Sequence, residues 1–302
     1  MKIVFMGTPD FAVASLDALI KANFEVVAVV TAPDKPAGRG QKINESAVKR
    51  YAVEHSIPVL QPEKLKNTEF LNILKSYNAD LQVVVAFRML PELVWNMPPK
   101  GTINLHGSLL PQYRGAAPIN HAIINGEKES GVTTFFLTHE IDTGNIIMSE
   151  TVAIGDNESA GELHDKLMDI GARLIVKTLK AIESGTVSEQ PQPMSDTLKH
   201  APKIFKDDCK LDWNNPSQVV YNKIRGLSPY PTAFTVLNDK FLKIFAAEIE
   251  DKEPAITPGA FLTDGKTYLK FATKDGFIKV TDIQYEGKKR MLVEDFLRGV
   301  RL

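Results

Sequence analysis

Two polar side chains, Asn104 and His106, stand two residues apart at the end of the apolar run 102–105. On a β-strand that spacing turns both to one side. A strand ending there would aim a neutral amide donor and an imidazole at one spot. An amide can stabilise a developing oxyanion; an imidazole can donate as imidazolium and return a proton. The chain then passes through a stretch broken by Gly107, Pro111 and Gly115, a loop of the kind that carries sites in α/β proteins. Further on, Asp142-Thr143-Gly144 has the signature of a turn. Its carboxylate could orient an imidazole or take protons through a water. Read singly, Asn-x-His is also what an ordinary strand-to-helix turn contains, and Asp142 an ordinary turn residue.

The elements that must position these groups come from the hydrophobic pattern. The unbroken apolar run Ile3-Val4-Phe5 predicts a buried strand, Gly7-Thr8-Pro9-Asp10 a turn, residues 11–21 a helix, and 25–30 a second strand. That opening is a βαβ unit, although Gly7-Thr8-Pro9 lacks the G-x-G-x-x-G spacing of a dinucleotide site. Helices are expected over 45–54 and 68–76, short ones over 91–96 and 118–125, and strands over 58–60, 80–87, 132–138 and 145–152. Leu163, Leu167, Ile170, Leu174 and Leu179 form one face of a long helix over 159–182, opened by a Ser159–Glu162 capping box. Residues 31–44 carry two prolines and two glycines with Lys35, Arg39 and Lys42, and read as a long basic loop. Such a loop is either plain solvated surface or a contact to phosphate or RNA backbone.

The fold class is therefore α/β: a Rossmann-like parallel-sheet domain over 1–186, a proline-bearing linker over 187–206, and a small OB-like β-barrel of short strands and turns over 207–302. The 302 residues are 43% apolar and 24% charged with a formal net charge of -1, so no global field draws in nucleic acid or membrane. Any RNA contact must be local, for instance at Lys288-Lys289-Arg290. Cys209 is the only cysteine, which precludes an internal disulfide and points to a reducing, cytoplasmic setting. Neither a signal-type apolar segment nor a run of membrane-spanning length is present.

Taken together, Asn104-x-His106, Ser108-Leu109-Leu110-Pro111 and Asp142-x-Gly144 resemble the folate-dependent formyltransferases. Gly7-Thr-Pro-Asp-Phe-Ala12, Asp34-Lys-Pro-Ala-Gly-Arg-Gly40, Ala201-Pro-Lys-Ile204, Leu211-Asp-Trp213 and Arg225-Gly-Leu-Ser-Pro-Tyr-Pro231 extend the likeness over nearly the whole chain. They resemble the branch whose acceptor is an aminoacyl-tRNA. The resemblance implies formyl transfer from 10-formyltetrahydrofolate, as co-substrate, to the α-amine of methionyl-initiator tRNA by a monomer, with no metal. Asn104 and His106 would face the oxyanion, and Asp142 would act as electrostatic partner and proton relay. Phe87, Arg88, Met89 and Leu90 with Ser108, Leu109, Leu110 and Pro111 would enclose the pterin. Lys35, Arg39 and Lys42 would meet the acceptor arm, and the barrel would hold the tRNA. Arg88 departs from the small residue usual in the family, and His139, a turn histidine or a partner of Asp142, stands where the family often lacks a histidine. The competing readings are a formyltransferase for a sugar-nucleotide or ribosylglycinamide amine, a non-catalytic RNA-binding module, and a formyl-folate hydrolase.

Overall fold

The β-branched runs near the N-terminus form the middle of a parallel sheet, as their composition requires. The structure, a computed structural model, describes residues 1–37, 42–193 and 197–302. In chain order its elements are β1 (Lys2–Gly7), α1 (Asp10–Lys21), β2 (Glu25–Val30), β3 (Lys35–Ala37), β4 (Lys42–Asn44), α2 (Ala47–Glu54), β5 (Val59–Leu60), α3 (Thr68–Ser76), β6 (Leu81–Val85), α4 (Glu92–Trp95), β7 (Thr102–His106), β8 (Arg114–Gly115), α5 (Pro118–Ile124), β9 (Glu129–Phe136) and β10 (Ile146–Ala153). Then come α6 (Ala160–Ser184), β11 (His200–Ala201), a 3-10 turn (Asp207–Cys209), α7 (Ser217–Gly226), β12 (Ala233–Leu237), β13 (Lys240–Glu250), β14 (Phe261–Thr263), β15 (Leu269–Ala272), β16 (Phe277–Tyr285), β17 (Met291–Leu292) and α8 (Val293–Gly299). Two compact units result. One comprises Met1–Arg114, Gly131–Val152 and His164–His200; the other comprises Gly115–Ser130, Ala153–Leu163 and Ala201–Leu302.

In the first unit the sheet runs β10-β9-β7-β6-β1-β2-β5. Strand order reverses between β1 and β6, the kind of switch point where α/β sheets open a crevice. Parallel register places Met6 beside Val84 and Val84 beside Asn104. Those residues share a face, and His106, two further on, shares it too. The apolar layer on this face includes Met6, Val30, Phe70, Leu74, Val84, Leu90 and Val94. The opposite face is covered by α6. A Cβ added at Gly171 would lie 2.8 Å from a Leu105 methyl, so glycine lets the helix lie against Leu105 without displacing that side chain. Thr134 and Thr178 also join across that interface, their hydroxyls 2.9 Å apart. Side-chain caps start α2 and α3: Ser46 accepts from the Lys49 amide at 3.0 Å, and Asn67 accepts from the Phe70 amide at 3.0 Å.

Two expectations change here. Residues 31–44 are not one irregular loop: β3 and β4 pair antiparallel, with Lys35 opposite Asn44 and Ala37 opposite Lys42. A two-stranded ribbon has open edges, so Pro36 can sit in a strand despite its missing N–H. Its root is tied down, because the Asp34 carboxylate accepts from Lys49 and, at 2.8 Å, from Gln61. The bond from Lys49 holds the Asp34 carboxyl below the usual carboxylate range. The 187–206 stretch is also not wholly featureless. Gln190 exchanges two backbone hydrogen bonds with Ile146, at 2.8 and 2.9 Å.

The second unit contains an antiparallel sheet, β12-β13-β16-β15-β14 with β17 on β16, curled into a half-barrel. Register shifts around Ala246 on β13 are bulges, which bend and twist a strand. The expected capping box forms, with Ser159 N donating to Glu162 at 2.8 Å and Glu162 N to Ser159 Oγ at 3.3 Å. The sequence led us to expect only strands and turns beyond 207, yet two helices pack there. α7 buries Val220 and Ile224, and α8 buries Val293, Phe296 and Leu297. The core centres on Trp213. Its ring stacks on Phe271 at 4.7 Å between centroids, and its indole N–H reaches Thr235 Oγ1 at 3.0 Å. Phe271→Ala removes that fully buried partner and is expected to cost about 3–5 kcal/mol. Urea unfolding followed by tryptophan emission measures the loss.

Candidate active site

His106 is 6% exposed and Asp142 9%. Nδ1 of His106 lies 3.8 Å from Oδ2 of Asp142, and Nε2 lies 2.9 Å from the Tyr113 carbonyl. A carbonyl only accepts, so this bond puts a hydrogen on Nε2 and turns Nδ1 to the carboxylate. Asn104 is half-buried on the same strand face. Its side-chain amide has no hydrogen-bond partner among the described residues, and it is the uncommitted donor of the group.

The route by which Asp142 arrives was not visible in the sequence. β9 runs antiparallel to β7, with Thr133 beside His106 and Phe136 beside Ile103. The chain is carried away from His106 along β9, and residues 137–145 then bring Asp142 back to it. Asp142 takes a left-handed φ of 55°, which the short polar side chain of aspartate tolerates better than most. At Gly144 an added Cβ would fall 1.6 Å from the Phe136 carbonyl oxygen. Only glycine can close the loop there, which gives the Asp-x-Gly spacing a steric cause. Ala86, after β6, and Tyr113, whose carbonyl holds His106, have φ of 48° and 59°. Such conformations cost about 1–3 kcal/mol each and cluster at functional sites.

The expected folate wall divides into exposed and inward-facing residues. Met89 is 73% exposed, Phe87 is half-buried, and Leu90 packs into the core. Arg88 is exposed but occupied: its guanidinium donates to the carbonyls of Pro62 and Glu63 and lies 5.7 Å from the Phe87 ring centroid. Ser108 is buried and donates to the Gln112 carbonyl at 2.6 Å. Leu110 is buried and its amide donates to Thr133 Oγ1 at 3.1 Å, while Leu109 and Pro111 are half-buried. Exposed Leu93 and Ile141 add apolar surface in the same unit. His139 pairs with Glu92 at 3.3 Å and meets the edge of Trp95; it is a loop-anchoring histidine.

Of the basic residues expected on the acceptor loop, Lys35 is exposed on β3. Lys42 begins β4, and Arg39 lies outside the described residues. Two arginines from the tail motifs have structural partners. Arg290 forks onto Asp282, at 3.0 and 2.6 Å, with its guanidinium 4.0 Å from the centre of the Phe245 ring. Arg225 is buried and donates to Asn222 and to the Glu158 carbonyl, both at 2.9 Å, and burial pushes its guanidinium pKa down. A groove of about 1050 Å³ within the second unit is lined by both signs of charge, including Lys128, Arg225, Asp156 and Glu248. None of Asn104, His106 and Asp142 lines it. Among the described residues no cluster of three or more His, Cys, Asp or Glu could hold a metal, and no helix is long and apolar enough to cross a membrane. Cys209 is buried, donates to the Phe205 carbonyl at 3.3 Å, and has its thiol pKa pushed up by burial.

Sequence reasoning missed Gln192, whose side-chain nitrogen donates to the carbonyls of Asp142 and Gly144. A glutamine between two prolines offers no pattern from which that could be read.

Known proteins share this architecture. Methionyl-tRNA formyltransferase of Bacteroides fragilis is 53% identical over 310 aligned positions, covering 100% of this chain and 96% of the relative. The protein of that name from Flavobacterium johnsoniae is 51% identical, over 99% of this chain and 96% of its own. Among solved structures, the sugar 3N-formyltransferase WlaRD, crystallised in the presence of dTDP and 5-N-formyl-THF, superposes with a TM-score of 0.68 at 22% identity, over 96% of this chain and 99% of that one. HypX from Aquifex aeolicus in complex with tetrahydrofolic acid gives 0.69 at 19%, over 99% of this chain and 48% of that one. These two likenesses speak for the fold. Residues 1–179 match the Formyl transferase family and residues 203–301 the Formyl transferase C-terminal domain, so the chain belongs to the formyl transferase family of one-carbon transferases.

Proposed function

We propose that the chain transfers the formyl group of 10-formyltetrahydrofolate to the α-amine of methionyl-initiator tRNA, acting as a cytoplasmic monomer. The observation that carries the reading is the uncommitted amide of Asn104 on one strand face with a buried His106 turned to Asp142. The acceptor amine is the nucleophile, so no nucleophilic side chain is needed. Its nitrogen bonds to the formyl carbon, the carbonyl oxygen gains charge, and the bond from carbon to N10 then breaks as N10 takes a proton. Asn104 meets the growing charge first, because both ring nitrogens of His106 already face protein groups. His106 joins it when its bond to Tyr113 is exchanged for the substrate oxygen, as catalytic bonds often tighten only with substrate present. Asp142 takes the proton lost by the amine, directly or through a water, and shares it with Nδ1 of His106 for delivery to N10.

The folate would lie against Phe87–Leu90 and Ser108–Pro111, with Met89 and Ile141 supplying apolar cover and backbone groups reading the pterin edge. Arg88, tied to the 62–63 backbone, acts there as a brace on Phe87. Lys35, Arg39 and Lys42 would engage the acceptor arm. On this reading residues 1–186 carry the chemistry, 187–206 connect, and 207–302 hold the tRNA. The sheet fold shared with a sugar formyltransferase keeps a sugar-nucleotide amine as the second reading.

Incubation with labelled 10-formyltetrahydrofolate and charged initiator tRNA, charged elongator tRNA, an amino-sugar nucleotide or no acceptor separates the readings. Label on initiator Met-tRNA alone is the expected result; label on the sugar, or formate without acceptor, overturns it. Asn104→Ala should slow single-turnover transfer by ~10²–10³-fold, the usual loss for one oxyanion donor. Asp142→Asn should also slow that step, and wild-type speed would remove Asp142 from the mechanism. If Arg39 meets only phosphate, Arg39→Ala weakens all tRNAs alike and lowers the salt slope by roughly one unit. If it reads the acceptor end, the variant loses discrimination between initiator and elongator tRNAs.

A further inference from the structure

Gln192, in the stretch expected to be a plain linker, uses its whole side-chain amide on the segment that carries Asp142. Its nitrogen donates to the backbone carbonyls of Asp142, at 2.9 Å, and Gly144, at 2.8 Å. Its oxygen accepts from Arg114, at 3.0 Å from Nε and 2.6 Å from a terminal nitrogen. A guanidinium only donates, so Arg114 forces the oxygen toward itself and the amide hydrogens toward the loop. The reversed amide would set oxygen against two carbonyls. Neighbouring bonds keep this strand-like strap in place: Gln190 pairs with Ile146 through two backbone bonds, and Asn145 donates to Glu189 at 3.0 Å. Gln192 and its three partners, Arg114, Asp142 and Gly144, all belong to the first unit.

The restraint falls on a residue that needs one. Asp142 sits at a φ of 55°, a sparsely populated conformation for a non-glycine residue that persists only where its surroundings over-determine it. A relaxed backbone there would swing the carboxylate away from Nδ1 of His106, now 3.8 Å from it. We infer that Gln192, oriented by Arg114, is a positioning residue for formyl transfer that holds the Asp142 backbone so that its carboxylate faces His106. The inference rests on the proposed role of Asp142.

The test compares Gln192→Ala, Gln192→Glu, Asp142→Asn and the double variant Gln192→Ala/Asp142→Asn in the full-length chain. Single-turnover transfer is measured across pH, together with KM for both substrates and the thermal midpoint. Gln192→Glu keeps an acceptor for Arg114 but removes both donors to the loop, so it carries the comparison if Gln192→Ala folds poorly. Both Gln192 variants are expected to slow the transfer step by about 10- to 100-fold, as a misplaced catalytic group does. KM for folate and for tRNA should stay near wild type, and the pH profile should move toward that of Asp142→Asn. In the Asp142→Asn background Gln192→Ala should add little, because residues acting as one unit are not additive. A wild-type transfer rate in Gln192→Glu, or losses that multiply in the double variant, would overturn the inference while leaving a slow Asp142→Asn standing. A wild-type rate in Asp142→Asn would defeat the underlying reading instead, and the positioning role with it.

Discussion

The bond between Nε2 of His106 and the Tyr113 carbonyl is the constraint on which the rest of the site turns. It puts a hydrogen on Nε2, fixes the orientation of the ring and leaves Nδ1 directed at Asp142. Everything around it serves to make that bond possible. Tyr113 must adopt a left-handed backbone to present its oxygen, and its own amide is held at 2.6 Å by the Lys199 carbonyl. The 187–206 stretch thus supports both halves of the pair, through Lys199 on the histidine side and Gln192 on the aspartate side.

Positive charge is distributed with similar economy. Arg88, Arg225 and Arg290 each lie in a stretch that, from sequence, points toward a ligand. In the fold each is spent on protein: carbonyls of residues 62–63, Asn222 with the Glu158 carbonyl, and Asp282 with the Phe245 ring. A guanidinium that is buried or held in a two-pronged pair has few donors left for phosphate. Recognition of an anionic acceptor must then draw on exposed cations such as Lys35. With a net charge of -1, the chain offers no global field to add to such local contacts.

Much of the first unit was legible in the chain itself. The runs that became β1, β2 and β6 are largely apolar, while on β7 Ile103 and Leu105 alternate with Asn104 and His106, which therefore share a side. Turn chemistry marked Asp142 and Gly144, but not the carbonyl of Phe136 that forbids any other residue at 144. What could not be read depends on distant partners. α7 and α8 are short helices whose burial is decided by the half-barrel they cover, so their periodicity was hidden among strand-like runs. Residues 35–37 and 42–44 look like loop because prolines and glycines dominate their surroundings, yet pairing with each other makes them strands. Gln192 has no local signature, since its partners lie 48 to 78 positions away.

Gly171 gives the sheet a property that reaches beyond packing. By letting α6 press onto Leu105, it closes the far side of β7 and leaves Asn104 and His106 with one working side. Two substrates that must meet at such a strand share a single doorway. On the proposed reading, folate and acceptor amine would both have to reach the end of this strand from that one side.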